Sequence, residues 1–503
     1  MGCKELDNGI KINYDKGLSF NDVLIVPSNS QVKPENCSTS SNLSKKIKLE
    51  LPFVGSPMAD VSGYEFCIAM AQHGAFSFLH RNCTAEEQAD AVKRVKEHEG
   101  YIVESPITIT PEIKTIAQLR KLREEKRYSF GSFPVVDEFK KPIGIVEEKD
   151  WFIDYVADPR TYISTIMREP VLVSVEQSKD RDEMKEFLKK ERRSIIVIDK
   201  KDKLYGLITG KDFALKENYP RATRDENDRL RVGAAIGVSE EDKERAEMLF
   251  KEEVDSIVID ISHGDHKDER DMIKWLKSEY GDAFDIGGGN VATYDAVERL
   301  AEAGADFIRV GVGPGSICTT RMVTGVGVPQ LTAILECSNA AKEHDVYIIA
   351  DGGIKNYGDI AKALTLADTV MMGSMFAGVE ETPGIKTKIE GKTVKEYKGM
   401  GSEASIRDRK GAGASRYQYK NTETLEDIIF SQGVEGYVEY KGPLKRVLFQ
   451  MENSLKYAMG LVGASNIEKF QKKSTLRVIS GSSYEEGKPS VSMTKQPENY
   501  FGR

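Results

Sequence analysis

One cysteine lies within a glycine-rich loop, Gly311-Val-Gly-Pro-Gly-Ser-Ile-Cys-Thr-Thr-Arg321. An apolar run, Asp306-Phe-Ile-Arg-Val310, precedes the loop, which places Cys318 just past the end of a predicted strand. Backbone amides around such a thiol can lower its pKa and make the thiolate a nucleophile. No histidine is adjacent in the sequence, so a Cys–His dyad is not supported locally. The loop therefore predicts nucleophilic catalysis by Cys318.

The same loop limits how a dinucleotide or a cation can bind. Gly311, Gly313 and Gly315 do not have the G-x-G-x-x-G spacing of a Rossmann fingerprint, so a dinucleotide would bind in another way. Consecutive turn glycines can also present backbone carbonyls to a cation. The other five cysteines are scattered along the chain and predict neither a disulfide framework nor a zinc site.

Polar residues and glycines also follow other short apolar runs of the chain. They are Ser56-Pro-Met58, Asp260, Gly289-Asn290, Asp351-Gly-Gly353 and Gly373-Ser374. The last two groups offer backbone amides and, at Ser374, a hydroxyl donor, a pattern that predicts a phosphorylated substrate. The alternative interpretation is that these glycines only form tight turns.

Eight apolar runs alternate with helical patterns, and they would position these groups. They are Phe53–Pro57, Ala75–Leu79, Val232–Ile236, Ser256–Asp260, Phe284–Gly287, Asp306–Val310, Val346–Ala350 and Thr369–Gly373. Eight such units predict an α/β fold, a (β/α)8 TIM barrel, with catalytic groups at the carboxyl ends of the strands. A doubly wound open sheet is the alternative. The chain exceeds the roughly 250 residues of a bare barrel, so large loops are expected, one of them beginning at Gly391–Gly413.

A different pattern interrupts this alternation between residues 103 and 220. Phe133–Asp137, Pro142–Val146 and Lys149–Trp151 recur at an offset of 62 residues as Ile195–Asp199, Leu204–Ile208 and Lys211–Phe213. Each set follows an amphipathic helical stretch, so a strand–helix–strand–strand–helix unit is predicted twice. The repeat resembles a tandem pair of CBS modules, which sense nucleotides. A purely structural insertion is the alternative. The predicted domains are 1–102 and 221–503 for the barrel and 103–220 for the insertion.

Composition excludes several classes of protein. The net charge of -8 argues against a nucleic-acid binder with a basic face. No run reaches the 18 or so apolar residues of a membrane span, and the N-terminus lacks a signal-peptide pattern. A soluble, cytoplasmic protein is therefore expected.

The segment 313–321 resembles the active-site signature of the IMP dehydrogenase/GMP reductase family. The similarity extends over essentially the whole chain, through Leu18–Leu24, Ser56–Met58, Ala350–Ile354, Tyr397–Ser402 and Gln432–Val434. The resemblance to the IMP dehydrogenases implies oxidation of IMP to xanthosine 5'-monophosphate (XMP) with NAD, the rate-limiting step of guanine nucleotide (GMP) biosynthesis within purine biosynthesis. It also implies that Cys318 attacks C2 of hypoxanthine, that hydride passes to NAD, and that water hydrolyses the covalent thioimidate.

The resemblance implies a role for each residue of the site. Substrate contacts are expected from Ser56, Met58, Ser316, Asp351, Gly352, Gly353, Gly373, Ser374, Tyr397, Gly399, Met400, Gly401 and Gln432. Asp351 would hold the ribose hydroxyls. Ser316, Gly353, Gly373, Ser374 and Tyr397 would hold the phosphate, and Gly399–Gly401 with Gln432 would contact the base. Cofactor contacts are expected from Asp260, Ser262, Asn290, Arg309, Gly311 and Gly313.

A mobile flap, about 391–431, carries the pair Arg416-Tyr417, which in the family activates water. A guanidine base needs strong perturbation, because a free arginine has a pKa above about 12. Tyr417 or Thr320 could share the role, and Arg416 as a purely electrostatic clamp is the alternative.

The resemblance also implies a potassium ion and a homotetramer. Carbonyls of Gly313, Gly315 and Cys318 would bind the ion, together with Glu486, Gly487 and Lys488 of a neighbouring subunit. This last segment departs from the commoner Glu-Ser-His form. The insertion is expected to bind a purine nucleotide.

The sequence leaves two competing functions open. A GMP reductase shares the barrel, the cysteine loop and the phosphate site, but it usually lacks both the insertion and the long flap. A nucleotide-sensing regulatory barrel without activity is the other alternative. The intact Cys318, Asp351, Arg416 and Tyr417 argue against it.

Overall fold

The computed structural model describes most of the chain. Described are residues 3–5, 11–13, 15–98, 102–104, 106–126, 128, 131–151, 158–191, 194–210, 218–407, 431–494 and 497. The chain divides into two compact units, with residues 1–96, 221–225 and 230–503 in one and residues 97–220 and 226–229 in the other. No helix among the described residues is long and apolar enough to cross a bilayer.

Eight parallel strands of the larger unit close into a barrel, as the sequence predicts. In chain order they are β1 (Phe53–Gly55), β2 (Phe76–Leu79), β3 (Gly233–Ile236), β4 (Ser256–Ile259), β5 (Asp285–Val291), β6 (Phe307–Val310), β7 (Tyr347–Asp351) and β8 (Thr369–Met372). Each strand pairs with the next, β8 pairs with β1, and β2 pairs with β3 across the insertion. The α/β TIM-barrel prediction is confirmed, and the open sheet is excluded.

Helices follow the strands around the barrel. They are Tyr64–Gln72, Ala85–Glu97, Glu240–Lys251, Lys267–Tyr280, Tyr294–Ala303, Thr320–Thr324, Gln330–His344, Tyr357–Leu364, Ser374–Ala377 and Leu444–Val462. Their apolar faces and the outward-facing strand residues form one large buried cluster. This burial is the main stabilising contribution that such a barrel makes.

The barrel interior is filled by a second apolar cluster of large side chains. Phe76, Phe78 and Phe307 are fully buried, and the Phe78 and Phe307 rings lie 5.8 Å apart. Gly287 faces this cluster, and a Cβ there would lie 2.0 Å from the Phe307 ring. The absence of a side chain at Gly287 is therefore what admits the phenylalanine ring.

Further elements lie outside the barrel ring. They are strands Cys3–Glu5, Lys11–Asn13, Val23–Ile25, Ser41–Asn42, Lys48–Leu49 and Leu476–Val478, short 3-10 turns Phe20–Asp22 and Pro34–Asn36, and helices Glu403–Arg407, Ile467–Lys473 and Gly481–Glu486. An antiparallel sheet follows β8, formed by β9 (Lys386–Ile389), β10 (Lys392–Lys398) and β11 (Glu435–Glu439).

Two local predictions are wrong in detail. The sequence places Asn290 beyond its strand, but β5 continues to Val291 because its pairing with β6 shifts between Gly289 and Val291. The sequence also predicts a loop from Gly391 onward. Gly391 instead forms the turn of the β9–β10 hairpin, in which β10 pairs with strands on both sides.

The smaller unit contains both copies of the predicted repeat. Its elements are Val103–Glu104, Ile116–Lys126, Phe133–Val136, Pro142–Val146, Glu148–Trp151, Ile163–Ile166, Val171–Ser174, Gln177–Lys179, Arg181–Glu191, Ile195–Ile198 and Leu204–Ile208. Each repeat forms its predicted antiparallel strand pair. The entering strand Val103–Glu104 pairs with Leu204–Ile208, a strand of the second repeat. The predicted helix start at Lys211–Phe213 lies outside the described residues.

Candidate active site

One cavity opens at the carboxyl ends of the barrel strands, and Cys318 lines it. The apolar strand β6 ends at Val310, and the chain then turns through the loop 311–319 into the helix Thr320–Thr324. Within the loop, the Cys318 amide donates to the carbonyl of Gly315 at 3.2 Å. This turn leaves the Cys318 side chain partly exposed toward the cavity.

A short hydrogen-bonded chain leads away from the thiol. Cys318 Sγ lies 3.1 Å from Thr320 Oγ1, which in turn donates to Gln432 Oε1 at 3.0 Å. The single hydroxyl proton of Thr320 is used on Gln432, so in this arrangement the thiol is the donor to Thr320. Neither threonine nor glutamine titrates in the physiological range. The pair can therefore orient the thiol or a water molecule, but it is not itself a base.

Backbone contacts with residues 432–434 also hold the cysteine loop in place. The Thr319 amide donates to Gln432 O at 3.0 Å, and the Val434 amide donates to Ile317 O at 3.0 Å. Cys318 and Gly433 form an isolated antiparallel bridge. Gln432 is brought to Cys318 by these backbone contacts, although 114 residues separate the two in the sequence.

Charged groups at the ends of β4 to β7 form a buried network beside the thiol. Arg309 is 1% exposed and donates to Asp260 Oδ1 at 3.0 Å. Its other terminal nitrogen lies 3.8 Å from Asp351 Oδ2. Asn290 Nδ2 donates to the same Asp351 oxygen at 2.9 Å. One guanidinium therefore lies between two carboxylates that face the cavity, which offsets the cost of burying them.

A buried carboxyl supports this network from behind, and the sequence gives no sign of it. Glu269 is fully buried on the helix Lys267–Tyr280, and its Oε1 accepts the Gly289 amide at 2.5 Å. Burial is the largest influence on this group and raises the pKa of Glu269 well above its usual range. The contact fixes the backbone immediately before Asn290.

On the opposite side of the cavity, Tyr397 lies at the end of β10. Its side chain is 4% exposed, and its hydroxyl lies 3.5 Å from Met58 Sδ. Burial raises the pKa of Tyr397, which a hydrogen bond with Ser316 partly opposes, so the phenol stays protonated and can donate. Tyr397 therefore adds a donor near Gly373 and Ser374.

The cavity brings together all of the residues predicted for catalysis, substrate and cofactor that the structure describes. Its lining includes Ser56, Met58, Asp260, Ser262, Asn290, Arg309, Gly311, Gly313, Gly315, Ser316, Cys318, Thr320, Asp351, Gly352, Gly353, Gly373, Ser374, Tyr397, Gly399, Met400, Gly401 and Gln432. Lys355 also lines it and is missing from the sequence-based set.

Three groups of predicted residues lie elsewhere or cannot be placed. Arg416 and Tyr417 lie outside the described residues. Glu486 and Gly487 end the helix Gly481–Glu486, and they are not among the lining residues. Lys488 forms an ion pair with Glu485 at 2.8 Å.

The fold and the site together define a (β/α)8 barrel with a cysteine loop after its sixth strand and a glycine-rich cavity around it. A family model described as the IMP dehydrogenase / GMP reductase domain matches residues 17–490. The chain belongs to the IMP dehydrogenase/GMP reductase family, as its motifs predict.

The similar proteins include both IMP dehydrogenases and GMP reductases. Inosine-5'-monophosphate dehydrogenase of Aquifex aeolicus is 40% identical, over 97% of this chain and 98% of its own length. The Mycobacterium tuberculosis enzyme of the same name (strain H37Rv) is 41% identical, over 97% of this chain and 92% of its own. Among solved structures, GMP reductase C318A of Trypanosoma brucei with guanosine 5'-monophosphate has a TM-score of 0.86 at 33% identity. That match covers 95% of this chain and 98% of the other.

This structural match corrects one expectation from the sequence. The T. brucei GMP reductase aligns with 95% of this chain, a span that includes the insertion. The insertion therefore does not distinguish a dehydrogenase from a reductase.

Proposed function

We propose that the chain is an NAD-dependent IMP dehydrogenase that oxidises IMP to XMP through a covalent bond to Cys318. The observation that carries the proposal is the position of Cys318, in one cavity with the polar groups that a purine nucleotide needs. Curated relatives named as IMP dehydrogenases, at about 40% identity over nearly the full length, support the choice of reaction.

The cavity has donors and acceptors for each part of IMP. Asp351 would accept hydrogen bonds from the ribose hydroxyls, with its carboxylate oriented by Asn290 at 2.9 Å. Phosphate contacts are assigned to Ser316, Gly353, Gly373, Ser374 and Tyr397. Gly399–Gly401 and Gln432 would contact the base near Cys318. Charge-assisted hydrogen bonds of this kind contribute about 1.5–3 kcal/mol each.

The chemistry needs two steps because C2 of hypoxanthine carries no leaving group except hydride. The Cys318 thiolate adds to C2 and makes that carbon tetrahedral, and hydride then departs from C2 to the nicotinamide. The remaining thioimidate accepts water at C2, and collapse of the adduct breaks the C–S bond and returns the thiol. The sum is IMP, NAD⁺ and water to XMP, NADH and a proton. Covalent catalysis replaces one difficult substitution by two easier steps.

The second step needs a proton acceptor, and the two side chains in the hydrogen-bonded chain from the thiol do not supply one. Thr320 and Gln432 can hold the water but cannot take up its proton. This gap supports a role for Arg416 and Tyr417 of the flap, which the family motif assigns to water activation. Thr320 is then a positioning group for water, between the thiol and Gln432.

Nicotinamide chemistry requires a place beside C2 of the base, and the cavity continues from Cys318 to Asp260. NAD would supply the hydride acceptor. Asp260 lines the cavity and accepts a hydrogen bond from Arg309 at 3.0 Å, and its carboxylate is assigned to the nicotinamide ribose. Ser262, Asn290, Arg309, Gly311 and Gly313 line the same part and fit a planar amide and ribose.

The loop also fits a monovalent cation at the proposed potassium site. Gly313, Gly315 and Cys318 provide backbone carbonyls, which are neutral, hard oxygen ligands. The Gly315 carbonyl already accepts the Cys318 amide at 3.2 Å, but its second lone pair remains for a cation. Glu486, Gly487 and Lys488 of a neighbouring subunit would complete the site, in a homotetramer. A bound potassium would fix the conformation of the cysteine loop.

The inserted repeats are assigned a regulatory role. The two repeats of the insertion are assigned as a CBS pair that binds a purine nucleotide. The enzyme would act in the cytoplasm, at the rate-limiting step of guanine nucleotide synthesis. Titration of the full-length protein with ATP, GTP and GDP tests the regulatory part, and absence of binding by all three would refute it.

A GMP reductase is the second candidate, because solved GMP reductases match the structure over nearly the full length. Their identities are 31–33%, against 39–41% for the curated dehydrogenases. The Arg416-Tyr417 pair, which serves hydrolysis, also favours the dehydrogenase. Both enzymes would use Cys318, so only the reaction separates them.

Two assays run in parallel separate these candidates. The protein in potassium buffer is mixed with IMP and NAD, and separately with GMP and NADPH, while reduced nicotinamide is followed by absorbance. NADH production only from IMP is the expected result. NADPH consumption by GMP without NADH production would identify a reductase, and silence in both would favour a regulatory barrel.

A variant of the nucleophile checks the mechanism in the same assay. Cys318→Ala should reduce turnover below detection, because no other described side chain of the cavity is a comparable nucleophile. The variant should still bind IMP, since its ribose and phosphate contacts are intact. Turnover that survives the substitution would refute covalent catalysis.

A further inference from the structure

Two lysines outside the cavity insert their ammonium groups into the segment that follows the phosphate residues. Lys395, on β10, is 3% exposed. Its Nζ donates to Val379 O and Thr382 Oγ1, each at 2.9 Å, and it also contacts the carbonyls of Thr382 and Glu380. All four acceptors are neutral oxygens. Burial lowers the pKa of Lys395, and the nearby carboxylates of Glu380 and Glu381 partly oppose this effect.

Lys441 contacts the beginning of the same segment. Its Nζ donates to Met375 O at 2.7 Å and lies 3.5 Å from Ser374 O. Its backbone amide donates to Gly378 O at 2.8 Å, and the Glu380 amide donates to Gly442 O at 2.9 Å. Residues 374–382 are thus held by two ammonium groups and by backbone pairing.

The two lysines lie at the two ends of one loop, the part of the chain that contains Gly399–Gly401 and Gln432. Lys395 lies on the strand that leads to Tyr397 and Gly399–Gly401, and Lys441 lies just after the strand that returns from Gln432. Residues two apart on a strand face the same side, so Lys395 and Tyr397 point toward the same segment. The Tyr397 hydroxyl lies 2.7 Å from where a Cβ of Gly373 would be.

We propose that Lys395 and Lys441 are positioning residues, which fix residues 373–382 against both stems of this loop. Binding of a 5'-phosphate at Gly373 and Ser374 is then coupled to the contacts that Gly399–Gly401 and Gln432 make with the base. Because Lys441 contacts the carbonyls of Ser374 and Met375, and Lys395 holds the following residues Val379 and Thr382, the coupling acts on ligands that carry the phosphate. This inference rests on the proposed function, in which the cavity binds a purine 5'-nucleotide.

The test compares a ligand that has the phosphate with one that lacks it. Lys395→Met and Lys441→Met each remove the ammonium but keep most of the side-chain volume. Dissociation constants for IMP and for inosine are measured by calorimetry on the full-length protein. Each variant should bind IMP about tenfold to a hundredfold more weakly, the size of effect that loss of hydrogen bonds from a charged group typically has. Inosine affinity should change by less than about twofold.

A matched control comes from the same strand. Lys392 is exposed and pairs with exposed Glu439 at 3.4 Å, so Lys392→Met should leave both affinities unchanged. Lys441→Arg should retain most of the IMP affinity, because a guanidinium can reach the two carbonyls at this half-buried position. That rescue would not be expected if residue 441 mattered only for its shape.

The outcomes distinguish this inference from the function on which it rests. Parallel loss of IMP and inosine affinity in the folded variants would indicate general loosening and overturn the coupling. An unchanged ratio of the two affinities would overturn it too. If Lys395→Met does not fold, the ratio in Lys441→Met decides. Failure of the unaltered protein to bind IMP would instead refute the proposed function.

Discussion

At the scale of single residues, the proposed reaction depends on the Cys318 thiol, which is oriented by neighbours that do not titrate. Cys318 contacts a hydroxyl, and that hydroxyl contacts an amide. Such a chain gives direction to the thiol and to a water molecule, while the proton has to leave by another route. The hydride and hydrolysis steps therefore depend on different groups, and substitutions should separate them.

Thr320→Val removes the hydroxyl while keeping the shape of the side chain. Water then loses a hydrogen-bond partner, and hydrolysis should slow by about tenfold, because a neutral hydrogen bond contributes about 0.5–1.5 kcal/mol. Hydride transfer should change little. Rapid-mixing absorbance should show a burst of NADH followed by slow turnover, with the covalent adduct accumulating.

Thr320→Ser serves as the control, because it retains the hydroxyl and should turn over at close to the normal rate. A Thr320→Val enzyme with no burst, and with both steps slowed equally, would contradict this separation of roles.

At the scale of elements, the barrel holds a partly buried carboxylate near the amino ends of β7 and β8. Asp368 Oδ2 accepts the Ile348 amide at 2.8 Å, and burial raises the pKa of Asp368 to about 6. In the unfolded chain an aspartate titrates near 3.9. Between about pH 4 and pH 6 the folded state therefore binds more protons, and its stability falls as the pH rises through that window.

Asp368→Asn should remove this pH dependence, because the amide oxygen can still accept the Ile348 amide. At pH 7–8 the variant should be more stable by an amount on the order of 1–3 kcal/mol, and near pH 4 the difference should vanish. Thermal unfolding at a series of pH values measures the effect. Asp90→Asn, at an exposed surface pair, is the control and should change little. A variant no more stable than the parent at pH 8 would contradict the argument.

The order of the elements was open to prediction from the sequence, and several contacts between them were not. Short apolar runs and helical periodicity are local signals, so all eight barrel strands could be predicted. The extension of β5 through Asn290 and the hairpin at Gly391 depend on which strand pairs with which. The roles of Glu269, Lys395 and Lys441 arise from contacts with backbone oxygens or amides distant in the sequence. A charged residue inside a helix or strand pattern usually indicates a solvated face, which is why these three were missed.

At the scale of the whole molecule, a buried ion cluster joins the two points where the chain leaves and re-enters the barrel. Lys96 ends the first barrel segment, and its Nζ lies 3.0 Å from Asp225 and 2.6 Å from Asp255. All three side chains are 5% exposed. Arg231 lies 3.2 Å from the other Asp255 oxygen. The cluster holds the leaving and returning segments together at the barrel.

Lys96→Met should destabilise the barrel by about 3–5 kcal/mol, because it leaves two carboxylates buried without their shared ammonium. Calorimetric unfolding of the full-length protein measures the loss. Lys93→Met, at an exposed position of the same helix, should have little effect. Equal unfolding temperatures for the two variants would show that the cluster does not stabilise the barrel.

The covalent bond proposed between Cys318 and the purine can be trapped during the reaction. Protein, IMP and NAD are mixed, quenched in acid within the first turnover, and examined by intact-protein and peptide mass spectrometry. We predict an adduct of the oxidised nucleotide on the peptide containing Cys318, formed together with NADH and lost as XMP appears. NADH formed in stoichiometric amount with no adduct on Cys318 at any quench time would refute covalent catalysis by Cys318.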